Sequence, residues 1–330
     1  MHAAGAAPEH SLGLTLEKVS AARKLLEGIV PVSRLIRAES LSNATGANVF
    51  LKLECEGPTG SFKLRGAYCA IWSRLQREKI PGVVTSSTGN HGAATAFAAS
   101  RLGLPVRIYL PKNPNPTKRD RIAKQGAEIV EVGEYLEETR QHAAKFAAES
   151  GWFNLVDGIE ADMLLGTATI TAEVIEQLPE VDTIFIPVGD STLIQGAAFA
   201  AKSLQPAVRV IGVQAAQAPA YALAFGKGHG LSTDTSDTIA DGLAVRDALE
   251  ENVREIRKFV DAFILVSEKE MLSAIRDLHL NEKILAEPAG AATTAALLKS
   301  SDAYKRKNVA LLVTGANITE EHFQRALKEI

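Results

Sequence analysis

The sequence predicts an α/β protein built on mainly parallel sheets and divided into two domains. From Gly82 onward, short apolar, β-branched runs alternate with longer stretches rich in alanine, lysine and glutamate, and a second such series begins after Gly151. Alternation of this kind signals parallel strands covered by helices. A chain of 330 residues with 46% hydrophobic content is also long enough for two cores.

Taken in order, residues 16–27 carry Leu16, Val19, Leu25 and Leu26 at helical spacing, with Thr15 as a cap and Gly28 as a stop. Residues 49–53 read as a short strand. The next stretch, PTGSFKLRGA (58–67), is a turn leading into an apolar helix start, with Ser61 as candidate cap. Strands are then expected over 83–86, 106–110 and 128–132, and in the second series over 183–188, 208–214, 263–266 and 309–314. Residues 226–237, rich in Gly, Ser, Thr and Asp, read as a surface loop.

Composition excludes several classes of function. Thirty-six basic against thirty-nine acidic residues leave a formal charge of −3 with no basic patch, which argues against nucleic acid or an anionic membrane as partner. Cys55 and Cys69 have no metal-ligand spacing and form no disulfide framework, so they read as buried small hydrophobes in a reducing compartment. The first ten residues lack a basic n-region and an apolar core, and no apolar run reaches membrane-spanning length. The expectation is a soluble, cytoplasmic protein with a frayed N-terminus.

Lys63 carries the chemistry of the 58–67 stretch. In the first turn of a helix a cation opposes the dipole, so it calls for an anion or for a chemical use of an amine with a lowered pKa. The structural alternative is a snorkelling lysine beside Arg65. Three later loops, each after a predicted strand, weigh on that choice, because ligands of parallel sheets bind at the carboxyl ends of strands. SSTGNHG (86–92) gathers hydroxyls, an amide and backbone N–H groups into a cradle for an anion or carboxylate. VGDSTLIQG (188–196) pairs Gly189, which permits close backbone approach, with Ser191, Thr192 and a helix N-terminus fit for a phosphate. Its glycines lack the dinucleotide spacing, which disfavours NAD. In TGANIT (314–319) the hydroxyl of Thr314 is either functional or the cap of the next helix. A poised lysine, a carboxylate cradle and a phosphate cup together match the needs of pyridoxal phosphate.

With GSFKLRGA, SSTGNHG, IADGLAV, AEPAGAA and TGAN in this order and spacing, the chain resembles the fold-type II pyridoxal-phosphate enzymes, in the serine and threonine dehydratase and serine racemase branch. The resemblance runs from about residue 31 to the end. It implies two three-layer domains like those of the tryptophan synthase β-subunit: 1–72 with 156–330 as the large cofactor-binding domain, and 73–155 as a small inserted domain that clamps the substrate. It further implies that Lys63 holds the cofactor, Phe62 packs near its ring and Asn90 meets its phenolic oxygen. Gly189, Asp190, Ser191, Thr192 and Leu193 would surround the phosphate. Thr314 would bond the pyridine nitrogen, with Gly242 and Glu287 close to the ring. Ser87, Thr88, Asn90 and His91 would hold the substrate carboxylate, and the family suggests a homodimer.

Four departures from the family pattern shape the expectation. Asp190, Ser191 and Thr192 replace a run of glycines, and Asp190 is expected to face out of the cup because it would repel a phosphate. Thr88 stands where serine racemase has its reprotonating serine. The residues matching the family's divalent-cation site are Gln214, Ala218 and Ala220, so no metal is expected. Ala93, Leu164 and Leu165 replace more polar residues, which suggests a wider, drier pocket for a bulky β-substituent such as that of phenylserine; repacking of the domain interface is the alternative. The reading is an ammonia-lyase that converts a β-hydroxy-α-amino acid to a 2-oxo acid and ammonia. In it Lys63, freed from the cofactor and held neutral by its surroundings, is the base, and the cofactor phosphate or Thr88 assists the leaving hydroxyl. Racemisation or β-replacement on the same cofactor, and a non-catalytic sensor, are the rivals.

Overall fold

A computed structural model describes residues 9–158 and 160–328. The expected frayed N-terminus, up to residue 8, lies outside them. Among the described residues, ten strands form two main sheets and two form a small ribbon. In chain order these are β1 (Leu35–Arg37), β2 (Asn48–Leu53), β3 (Val83–Ser86), β4 (Val106–Leu110), β5 (Glu128–Glu131), β6 (Phe153–Asn154), β7 (Thr183–Pro187), β8 (Arg209–Ala215), β9 (Leu231–Ser232), β10 (Asp247–Ala248), β11 (Ala262–Val266) and β12 (Asn308–Val313). The six-stranded sheet runs β1-β2-β12-β7-β8-β11 and the four-stranded sheet β5-β4-β3-β6. All pairings in the two sheets are parallel except β1 with β2.

The strands read from sequence are present with shifts of a residue or so at their ends. β1 and β6 were not foreseen, being three and two residues long. The expected loop at 226–237 instead contains β9, which pairs antiparallel with β10. Thr15 caps its helix as expected, accepting from the Lys18 backbone N–H at 3.3 Å.

Strand composition explains where the core lies. All five residues of β7 are buried, as are Val309 to Val313 of β12, because helices cover both faces of the central strands. Three helices, Lys63–Arg77, Ala161–Gln177 and Thr192–Leu204, stack closely beside this sheet. Glycine makes that approach possible: a Cβ on Gly166 would sit 2.3 Å from the Arg65 backbone, and one on Gly196 would sit 2.3 Å from the Leu164 carbonyl oxygen. The register Val313↔Leu53 brings the carboxyl ends of β12 and β2 side by side. The turn carrying Lys63 therefore meets the loop after β12: Ser61 bridges Gly315, and the Phe62 N–H donates to the Thr314 carbonyl at 3.0 Å.

Candidate active site

Lys63 opens the helix Lys63–Arg77, but Ser61 does not cap it. Phe62 occupies the cap position with no side-chain bond, and the buried Ser61 hydroxyl is without a partner. The ammonium of Lys63 lies 5.1 Å from the Phe62 ring centre and donates to two carboxylates, Asp157 Oδ2 at 2.6 Å and Asp190 Oδ2 at 2.7 Å. Burial alone would lower the Lys63 pKa, but Asp157 and Asp190 outweigh it and raise it above the ordinary lysine value. This corrects the expectation of a lysine held neutral by its surroundings.

Asp190 also turns out otherwise than expected. It faces inward: while Oδ2 meets Lys63, Oδ1 accepts the Thr192 backbone N–H at 2.8 Å at the start of the helix Thr192–Leu204. The expectation rested on repulsion from a bound phosphate; in the cofactor-free chain the attraction of Lys63 and of the helix N-terminus sets the orientation. Burial would raise the Asp190 pKa, yet Lys63 and a hydrogen bond with Asp157 hold it well below the usual carboxylate range. Asp157 is driven the other way, upward, by burial and by the neighbouring Asp190. Of the two carboxylates beside the ammonium, Asp157 is therefore the one that more readily takes up a proton. In the same loop, Ser191 adopts a left-handed backbone (φ 79°) and its hydroxyl accepts from Gln195 Nε2 at 2.9 Å. At Gly189 the close approach is to the protein itself, since a Cβ there would lie 2.1 Å from the Gly242 carbonyl oxygen. Thr192 and Leu193 are buried in the first turn of the helix.

A second chain of contacts joins the loops after β3 and β12. Asn90 heads the helix Asn90–Arg101 and donates to Glu287 Oε1 at 2.7 Å, while its own oxygen accepts from Asn317, which also bonds the Thr59 carbonyl at 3.0 Å. Loss of solvation pushes Glu287 up to about 7, against the pull of Asn90 and Arg121. Gly315 is obligatory here, since a Cβ would fall 2.3 Å from Glu287 Oε1. Thr314 is 3% exposed at the end of β12. Across the cleft, Lys118 of the helix Pro116–Ala123 pairs with Asp241 beside Gly242.

Other expected residues divide. Ser87 and Thr88 line the half-open turn after β3, where the Ser87 hydroxyl accepts the Gly89 N–H at 3.3 Å. His91 is buried, with Nε2 3.0 Å from the Leu155 carbonyl, which requires that nitrogen to carry the proton, and Nδ1 3.7 Å from Asp157 Oδ2. Ala93 does not face the cleft. It is fully buried in a core with Leu64, Ala67 and Ile71, and Leu164 is buried between helices, so both serve packing, the alternative reading given for them. Gln214 is buried with Oε1 accepting the Ala222 N–H at 2.8 Å, and Ala218 and Ala220 are buried with it. Among the described residues, no cluster of His, Cys, Asp or Glu is arranged to hold a metal ion, and no helix is long and apolar enough to cross a membrane. Both cysteines are buried, and burial pushes their thiols up to about 12.

Sequence reasoning missed Asp157 and Asn317. Asn317 belongs to the TGANIT loop already singled out, whereas LVDGIE around Asp157 gives no motif.

A family model described as "Pyridoxal-phosphate dependent enzyme" matches residues 26–315. The L-threonine ammonia-lyase of Thermotoga maritima is 33% identical over 316 residues, covering 96% of this chain and 79% of that protein. A catabolic L-threonine dehydratase of Staphylococcus aureus is 35% identical over 309 residues, covering 92% and 89%. Among solved structures, maize serine racemase superposes with a TM-score of 0.88 at 27% identity, covering 94% of this chain and 96% of that one. The processed threonine deaminase isoform 2 of Solanum lycopersicum gives 0.89 at 27% identity, covering 98% and 97%. The residues present fit the cofactor of this family: a largely buried lysine at a helix start, a helix N-terminus backed by the Gly189–Gly242 contact, and a buried Thr314 at a strand end. The Asp190 carboxylate occupies the Thr192 N–H at the head of that helix.

Proposed function

The chain belongs to the pyridoxal-phosphate-dependent enzymes, and on that premise we propose that it is an ammonia-lyase acting on a β-hydroxy-α-amino acid, threonine or serine in the first instance. The observation that carries this reading is Lys63, placed at a helix start between the three strand-end loops and bonded only to groups that can exchange protons with it. Relatives named for threonine ammonia-lyase and threonine dehydratase activity support the substrate class.

Bound at this site, the cofactor supplies the electron sink that lets the Cα proton of an amino acid leave. Lys63 holds the cofactor and then, as a free amine, takes that proton at Nζ. Asp157 lies within 2.6 Å of Nζ and is the nearest group to share it. Ser87, Thr88 and Asn90, with the free N–H groups heading the helix Asn90–Arg101, orient the substrate carboxylate. Thr88 stands by to protonate the leaving β-hydroxyl. Loss of that hydroxyl as water gives an enamine, whose imine tautomer takes up water to yield the 2-oxo acid and ammonia. The Thr314 hydroxyl is a neutral partner for the ring nitrogen, which suits elimination better than transamination.

Residues 73–155, which hold the four-stranded sheet, act in this reading as the smaller clamping unit, and 1–72 with 156–330 as the cofactor-binding unit. Ala93 and Leu164 are buried and the half-buried Leu165 packs against the cores, which weakens the reason to favour a bulky β-substituent. Release of 2-oxo acid from L-threonine, L-serine and 3-phenylserine under identical conditions tests the proposal. Turnover of threonine or serine is expected to exceed that of phenylserine. Absence of 2-oxo acid from all three would refute the lyase reading, and loss of enantiomeric purity in recovered substrate would favour racemisation, the activity named for the maize neighbour.

A further inference from the structure

The phosphate cup of this chain carries an anion of its own. Asp190 lies in the turn after β7, where its Oδ1 takes the Thr192 N–H at the head of a thirteen-residue helix. That N–H, at the positive end of the helix dipole, is what a phosphate oxygen would seek. Its Oδ2 meets Lys63 at 2.7 Å, the amine the family uses to hold its cofactor. The turn is built around this placement. Ser191 takes a left-handed backbone, its hydroxyl is tied to Gln195, and a Cβ on Gly158 would approach Asp190 Cβ to 3.2 Å. One carboxylate thus spans both groups that an incoming phosphorylated aldehyde must engage.

We propose that Asp190 is a specificity-determining residue of the cofactor site: the resident anion of the cup, which a phosphate monoester must displace from the Thr192 N–H and from Lys63 in order to bind. Phosphate entry is then an exchange of one anion for another. A dianion and a carboxylate within a few ångströms of one another repel strongly in a partly buried site, so the carboxylate swings away when the phosphate seats. Two consequences follow. The cofactor-free chain keeps a formed cup, because Asp190 satisfies the helix N-terminus in place of the phosphate. Its affinity for phosphate is lower than the same loop would show with a neutral side chain at 190.

The inference rests on the cofactor of the family and not on the lyase reading, and its test needs no turnover. Cofactor-free full-length protein is titrated with inorganic phosphate, followed by thermal midpoint, and with pyridoxal phosphate, followed by absorbance, for the parent, Asp190→Asn and Asp190→Gly. The asparagine keeps the size of the side chain and an oxygen for the Thr192 N–H, so it removes charge alone. Asp190→Asn is expected to bind inorganic phosphate at least about tenfold more tightly than the parent, with a parallel gain for pyridoxal phosphate. Equal or weaker phosphate binding by Asp190→Asn overturns the proposal, whether or not Asp190→Gly folds. A tighter-binding Asp190→Asn protein that releases no 2-oxo acid would leave this inference standing and sink the lyase reading alone.

Discussion

Glu173 lies at the centre of a buried charge cluster, and its removal gives a direct measure of what holds the lysine helix in place. Its carboxylate accepts from Arg65 at 2.6 and 3.0 Å and from Lys52 at 2.7 Å. Arg65, two residues beyond Lys63, also bonds both oxygens of Glu54, at 2.8 and 2.9 Å. All four side chains are at most 4% exposed, so two cations and two anions balance largely shielded from water. Glu173→Ala leaves Arg65 and Lys52 facing Glu54 alone, one uncompensated positive charge in the core. Breaking a buried pair in this way costs about 3 to 5 kcal/mol, a large part of the roughly 5 to 15 kcal/mol that stabilises an ordinary fold. Glu173→Gln is expected to be almost as severe, because its amide would turn a donor toward Lys52 or Arg65. The measure is the urea midpoint of the cofactor-free protein at constant m-value. A loss below about 1 kcal/mol for Glu173→Ala would show that water or rearrangement satisfies the cluster, and would refute the claim that its partners are left uncompensated. The sign with pH follows. Burial would raise the Glu173 pKa, but Arg65 and Lys52 lower it, so its stabilisation is full above the unfolded carboxylate pKa and is lost as pH falls through the folded value.

Lys63→Ala should abolish turnover and the visible absorbance of lysine-bound cofactor; a borohydride-reducible adduct surviving in the variant would place the Schiff base elsewhere. Thr314→Ala should weaken cofactor binding by on the order of 1 to 3 kcal/mol while Thr314→Ser is mild, read by equilibrium titration; equal affinities would reduce Thr314 to a structural hydroxyl. Glu287, pushed up to about 7, binds more protons folded than unfolded between its ordinary value near 4.5 and 7, so stability falls as pH rises through that window. Glu287→Gln should flatten this dependence in pH-resolved thermal unfolding, and an unchanged profile would contradict it. Ala93→Gln should lower the thermal midpoint by overpacking, at about 1 to 3 kcal/mol, and leave the substrate ranking as it was; a changed ranking would return Ala93 to the pocket.

How much could be read in advance depended on the range of the interaction. The strand-end loops were legible because glycine, hydroxyl and amide clusters follow apolar runs within a few residues, and in parallel sheets such loops gather at one edge. The core strands were legible because they are apolar on both faces. β1 and β6 were not, since three and two residues carry no pattern. The partners of Lys63 were hidden for a different reason: Asp157 and Asp190 lie 94 and 127 residues away, and nothing in LVDGIE marks its aspartate as facing an amine. Asp190 was misjudged because its neighbours in sequence suggested only a phosphate, whereas its neighbour in space is a cation. Ala93 was misplaced by adjacency. A residue that follows the cradle by one position points a third of a turn away on the helix, into the core between Leu64 and Ile71.

That same geometry answers the question Lys63 posed at the outset. A cation in a first helical turn opposes the dipole by about 0.3 to 1 kcal/mol. Each charge-assisted hydrogen bond to a carboxylate contributes roughly 1.5 to 3 kcal/mol, and Lys63 makes two. The carboxylates win, and the lysine that the sequence suggested would be neutral is an ammonium in the cofactor-free chain. For Lys63 to act as the proposed base, its proton must leave first. The cluster provides the route. Asp157 is already inclined to hold a proton, and displacing Asp190 would remove one of the two charges that keep Lys63 protonated. On the proposal made for Asp190, binding of the cofactor phosphate and release of the Lys63 amine would in this way be two sides of one rearrangement.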